Sequence, residues 1–200
     1  MADAHPNTRL EAFCDAVFAI ALTLLIIDIK VPPSEGIGTT RELWLALRHL
    51  GPSIFAFVLS FAVILITWVN HHRFFRYLNK SSGAFVYANG FLLLTVVFMP
   101  FPTALVGEYL LTDHAAPAVV IYNSVTAAQA VSWILVTAAA RRLAKDERCV
   151  AQVRDAHRNG YFAFVSYSLL AITAVWFPLT IAIVTTLLWA YWLAFSLKAD

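Results

Sequence analysis

Six runs of mostly apolar residues divide the chain, near 11–31, 51–70, 84–106, 115–140, 160–177 and 178–197. Crossing a bilayer takes about 20 such residues in an α-helix, so each run reads as a spanning helix. The last two are separated only by Trp176-Phe177-Pro178. One helix over both would be roughly 57 Å long against roughly 30 Å of hydrocarbon, and Pro178 cannot sit in a helix interior without a kink. A tight hairpin is the predicted arrangement, with a five-span chain as the alternative. Between the first two runs, Pro33, Gly36 and Gly38 mark a loop. The segment from Arg41 to Arg48 that follows predicts a short amphipathic helix at the membrane surface, with Trp44 as its anchor.

The first run is the most lopsided. On a helical wheel Phe13, Ala16, Ile20, Thr23, Leu24 and Ile27 fall in one stripe, and Asp15 lies roughly 140° from Ile20. One face is thus apolar with a single hydroxyl, while the other carries a carboxylate. Ala19-Ile20-Ala21 has the look of a signal-peptidase site, but the few residues before it include Asp15 and form no apolar region. The run is expected to be retained as a spanning helix.

Composition agrees with the pattern. The chain has 200 residues, 60% hydrophobic and 13% charged, with a mean hydropathy of +0.73. That is too little charge to cover a water-soluble surface, and a net charge of +2 gives no reason to expect a nucleic-acid partner. The fold class is an all-α membrane protein in a lipid bilayer. With six spans, eleven basic residues fall on one side, from Arg9 through Arg73, Arg76, Lys80, the 141–158 group and Lys198. Three fall on the other: Lys30, Arg41 and Arg48. This asymmetry predicts a multi-pass cell-membrane protein with both termini cytoplasmic. Cys14 and Cys149 both fall on the cytoplasmic side and are expected as free thiols.

Chemistry concentrates at one level. A carboxylate inside a span faces protein and has a partner. The second run ends Trp68-Val69-Asn70-His71-His72-Arg73-Phe74-Phe75-Arg76 at the same depth as Asp15, and Trp68, His71, His72 and Phe75 share helical spacing. The third run enters from that side with Asn89. A polar cluster of Arg9, Asp15, His71 or His72, and Asn89 is expected to clamp three helices, or alternatively to sense protons through the histidines. Adjacent histidines point about 100° apart on a helix and make a poor metal site, and no metal-binding motif occurs. Enzyme signatures such as a nucleophile elbow, a phosphate loop or a dinucleotide turn do not occur either. Met99-Pro100-Phe101-Pro102 predicts a kinked end to the third run.

Taken together, Arg9-x-x-x-Phe13-Cys14-Asp15, Ala19-Ile20, Thr23-Leu24-Leu25, Trp68 with His71-His72, Asn89, and Pro100-Phe101 resemble the transmembrane protein 175 family. Its animal members are endosomal and lysosomal potassium channels, and this chain is similar to the six-span prokaryotic form. The resemblance covers about the first half of the chain in motifs. It implies a homotetramer whose first helices line a central pore, conducting potassium and other monovalent cations without a cofactor. It places apolar constriction rings at Ile20, Leu24 and Ile27 and a pore-facing hydroxyl at Thr23. It also groups Arg9, Phe13, Cys14, Asp15, Trp68, His71, His72 and Asn89 as the helix-clamp network. Cys14 stands where the family has serine, and a thiol donates a weaker hydrogen bond. The competing function is a proton-coupled secondary transporter with Asp15 and the His71/His72 pair as relay.

Overall fold

In the computed structural model, which describes residues 7–198, eight α-helices and one 3-10 turn carry the chain: α1 (Thr8–Leu24) with its 3-10 extension Leu25–Asp28, α2 (Thr40–His49), α3 (Gly51–Phe75), α4 (Gly83–Phe98), α5 (Pro100–Tyr109), α6 (Ala115–Ala140), α7 (Glu147–Thr173) and α8 (Pro178–Lys198). No named strand occurs among the described residues; one isolated bridge pairs Leu78 with Ala144. That bridge ties the α3–α4 loop to the α6–α7 loop, through Asn79 N–H to Leu143 O at 2.9 Å and Lys145 N–H to Tyr77 O at 2.9 Å. This end, rich in Lys and Arg, is called the basic end below. The side chain of Lys198, counted above, lies outside the described residues.

Helix starts follow local chemistry. Pro100 and Pro178 open α5 and α8, and Pro52 stands in the first turn of α3, where the missing N–H has no intrahelical partner to lose. Ser82 caps α4 by accepting from Phe85 N–H at 3.3 Å, and Asp146 caps α7 by accepting from Cys149 N–H at 2.8 Å. α7 and α8 form the expected hairpin, with Pro178 at the turn.

Five helical stretches are long and apolar enough to span a membrane: Thr8–Asp28, Gly51–Phe75, Gly83–Tyr109, Ala115–Ala140 and Pro178–Ser196. The third contains the break at Pro100, and the chain continues helical beyond the expected end at 106. The run at 160–177 belongs to the longer α7, which begins at Glu147. Its first half carries Arg148, Arg154, Asp155 and Arg158, so the helix is a polar stem followed by an apolar half.

α6 sits at the centre, packed on α7, α4, α5 and α8, whereas α1 touches mainly α3 and α4. Two glycines allow the closest approaches. A Cβ on Gly160 would come within 3.0 Å of Ile134 Cγ1, and one on Gly107 within 3.0 Å of the Ser53 backbone.

Candidate functional site

α1 has one covered face and one bare one. Cys14, Phe18, Ala21 and Leu25 are buried against α3 and α4. Phe13, Ala16, Ile20, Thr23, Leu24 and Ile27, the stripe drawn from the wheel, are all exposed in the subunit. Ile20 and Ile27 each keep 57% of their surface accessible. Thr23 Oγ1 donates to Ile20 O at 2.8 Å, so the stripe's hydroxyl is satisfied by its own helix. Nothing in the described chain covers this face.

The covered face is held by two rungs. Trp68 Nε1 donates to Asp15 Oδ1 at 2.8 Å. One turn nearer the basic end, His72 Nδ1 lies 3.0 Å from Glu11 Oε1. Glu11 and Asp15 are four apart on α1, Trp68 and His72 four apart on α3, and the two rings stack at 5.8 Å with 25° between their planes. Arg76 donates to His72 Nε2 at 3.1 Å, so His72 Nδ1 meets Glu11 as a close polar contact and not as an aligned hydrogen bond.

His71 turns the other way. Its Nε2 meets Asn89 Oδ1 at 2.9 Å, and Asn89 Nδ2 donates to Phe85 O at 2.8 Å. With the amide nitrogen used on Phe85, the Asn89 oxygen must accept, so His71 carries its proton on Nε2. The imidazole is fully buried, with Phe75 at 4.7 Å and Phe18 at 5.3 Å between ring centroids.

The expected four-residue cluster is therefore two separate pairings. Asp15 is bonded by Trp68 and by neither histidine: His72 lies one turn further along α3, opposite Glu11, and the His71 Nε2 is taken by Asn89 of α4. Asn89 joins His71 alone. Arg9 is exposed and joins none of these groups among the described residues. Phe13 lies on the bare stripe, away from the rungs, while Cys14 is a buried free thiol in the apolar core. Glu11 and Arg76 belong to the network and were not anticipated. The signal was present: acids at 11 and 15 match the spacing of Trp68 and His72.

Compared with known proteins, residues 9–100 match the family model described as endosomal/lysosomal potassium channel TMEM175. The chain is 40% identical over 188 residues to a potassium channel of Chamaesiphon minutus, covering 91% of this chain and 92% of that one. It superposes with a TM-score of 0.79 and 37% identity on the crystal structure of a lysosomal potassium-selective channel TMEM175 homolog from Chamaesiphon minutus, over 95% and 97% of the two chains. A Gallus gallus protein named endosomal/lysosomal proton channel TMEM175 is 34% identical over 111 residues, 53% of this chain and 22% of that protein.

Proposed function

We propose, for a chain that belongs to the endosomal/lysosomal potassium channel TMEM175 family, that it is a potassium-preferring cation channel whose first helices, one from each of four copies, line a central pore. The family is one of ion channels, not enzymes, and the chain is a multi-pass membrane protein. The observation that supports the pore is the bare stripe of α1. It lies within the segment that matches the family, it is apolar but for Thr23, and the opposite face is anchored by the Trp68 and His72 rungs. Anchoring one face while leaving the other open is what a helix needs to present a wall to other copies.

In this arrangement Ile20, Leu24 and Ile27 make successive apolar rings. Such rings gate by dewetting, and an open ring that strips part of the hydration shell favours the ion that holds water less tightly, potassium over sodium. Glu11, Cys14, Asp15, Trp68, His71, His72 and Asn89 act as the clamp that sets the orientation of α1. Six spans, the polar-stemmed α7 included, put both termini in the cytoplasm. The carrier alternative uses Asp15 and the His71/His72 pair as a relay; Asp15 bonds Trp68, His71 bonds Asn89 and His72 meets Glu11, so no direct hydrogen bond joins Asp15 to either histidine among the described residues.

The test is ion flux from liposomes holding the purified full chain, under potassium and then sodium gradients. Fast passive flux with potassium ahead is expected. Ile20→Asn should raise flux by about an order of magnitude and level the two ions, because a polar ring stays wet. Unchanged flux and preference in that variant would remove Ile20 from the conduction path.

A further inference from the structure

Away from α1, four helices enclose a space of their own. A cavity of about 340 Å³ lies among α3, α6, α7 and α8, and no residue of α1 lines it. Small-molecule sites occupy roughly 300–1,000 Å³. The room comes from small residues, Ala130 of α6 with Ala156, Gly160 and Ala163 of α7. The cavity runs from Tyr77, Gln152 and Asp155 near the basic end to Gln129 and Trp189, which each stand near the middle of their helix.

At the deep end the lining is a set of donors. Gln129 Nε2 and Trp189 Nε1 are buried there with no hydrogen-bond partner among the described residues. Tyr167 Oη, which has Trp192 as its polar neighbour, makes no aligned hydrogen bond either. An indole N–H has no acceptor form, so Trp189 asks for an acceptor oxygen however the Gln129 amide is turned. The walls around these donors are aromatic. Tyr167 and Trp189 stack with ring centroids 5.5 Å apart and 25° between their planes, while Trp133 stands edge-on to Phe74 at 5.9 Å. Faces and edges of this kind hold a flat ring. Charge is confined to the mouth, and each group there has a partner: Arg73 donates to Ser196 O at 2.8 Å, and Asp155 lies 3.6 Å from Arg158. Carrying a charged guest from the mouth to mid-span would be costly.

We infer that this cavity is a binding site, one in each subunit, for a flat, uncharged aromatic molecule bearing a carbonyl oxygen. The oxygen accepts from Trp189 and Gln129, and the rings lie against the aromatic walls. Other guests meet only part of the lining. Water satisfies the donors but has no use for the stacked rings, a protonated amine sets donors against donors, and an alkyl chain leaves the donors unmet. A bound carbonyl would join α6 to α8 through Gln129 and Trp189, a tie that their own side chains do not make to each other. Molecules of this chemistry occur both dissolved in water and within bilayers.

The test is photolabelling of the purified full chain with benzophenone, an uncharged aromatic ketone that bonds to nearby C–H groups under near-ultraviolet light. Mass spectrometry then locates the labelled residues. Saturable labelling is expected along the cavity, at Ala163 and its neighbours. It should be displaced by 9-fluorenone and not by fluorene, the same ring system without the carbonyl. Gln129→Leu and Trp189→Phe, which each remove one donor, should raise the fluorenone concentration needed for half displacement about fivefold. Ala163→Phe, which fills the cavity and keeps both donors, should abolish the labelling. If Trp189→Phe does not fold, Gln129→Leu and the fluorene comparison still decide. In liposomes, labelling by benzophenone added from water alone would assign the natural ligand to the aqueous side. Labelling also by 4-dodecylbenzophenone premixed with the lipid would assign it to the bilayer. The absence of saturable labelling in the cavity overturns the site. Displacement by fluorene equal to that by fluorenone also overturns it, as does displacement by fluorenone that is indifferent to both donor variants.

Discussion

α1 and α6 are both apolar and both long enough to span a membrane, yet the subunit treats them differently. The most apolar stretch of α1 is 22% buried, and that of α6 is 56% buried. α6 carries Asn123, Thr126, Gln129, Ser132 and Thr137, all covered. Asn123 accepts from Thr185 of α8 at 2.9 Å, and Thr137 meets His157 of α7 at 2.8 Å. On α1 the rung-forming acids sit on the covered face, and the bare face has one self-satisfied hydroxyl. In lipid a polar group without a partner is costly, so polarity marks the side that protein covers. The bare stripe of α1 is then a surface fit for lipid or for another copy, and α6 is the post around which a single subunit folds.

The largest expected contrast follows from that difference. Gly160→Val puts a branched side chain where a Cβ already approaches Ile134 Cγ1 at 3.0 Å, and it forces α7 off α6. Overpacking of this kind costs about 2 kcal/mol, or a loss of roughly 4–8 °C in melting temperature for a chain of this size. Ile20→Val, at an exposed position on α1, should leave the melting temperature of the detergent-solubilised subunit unchanged. Intrinsic tryptophan fluorescence during a thermal ramp reads both. Equal losses would mean that α1 is as deeply built into the fold as α6.

Within the clamp the contrast repeats on a smaller scale. Asn89→Leu leaves the His71 N–H without an acceptor in a fully buried site, which should cost about 1–3 kcal/mol. Trp68→Phe leaves Asp15 half-buried and able to turn toward water, so about 1 kcal/mol is expected, with the ring packing kept. The same thermal ramp orders them. A larger loss for Trp68→Phe would make the Asp15 rung, rather than the His71–Asn89 pair, the main tie between helices.

Much of this was legible in the sequence because lipid enforces simple rules. Span length located α1, α3, α6 and α8 within a few residues, and a 3.6-residue period picked out the stripe from Phe13 to Ile27. Hydropathy placed the fifth run at 160 and was blind to the polar stem from Glu147, which is helical because Asp146 caps it rather than because it is apolar. The clamp was legible as a level in the membrane but not as a set of bonds. Depth brings Asp15 near both histidines, and only the rotation of α3 decides that Trp68 and His72 face α1. The buried contacts of Ser60 with Tyr122, at 3.1 Å, and with Thr103, at 2.6 Å, left no local trace at all. Ser60, Thr103 and Tyr122 lie on three helices, and each alone reads as an ordinary residue of an apolar run.

α2 sharpens the comparison from the other direction, since none of its residues is buried and only Ala46 is partly covered. What holds it helical is local. Thr39 Oγ1 accepts from Glu42 N–H at 3.2 Å, while Glu42 Oε2 accepts from Thr39 N–H at 2.8 Å and Gly38 N–H at 2.7 Å. Those amide bonds hold the Glu42 carboxyl below its ordinary range, the Gly38 contact contributing most. A group whose acidity is raised by folding stabilises the fold while ionised. The cap is therefore complete at neutral pH and fades as pH falls through and below the usual glutamate range. Glu42→Ala, which removes the acceptor, should speed amide exchange several-fold in the first turn of α2 at neutral pH, with no change in α1 or α6. Hydrogen exchange read by mass spectrometry measures this, and unaltered exchange would mean that the membrane surface around Trp44, not the cap, keeps α2 folded.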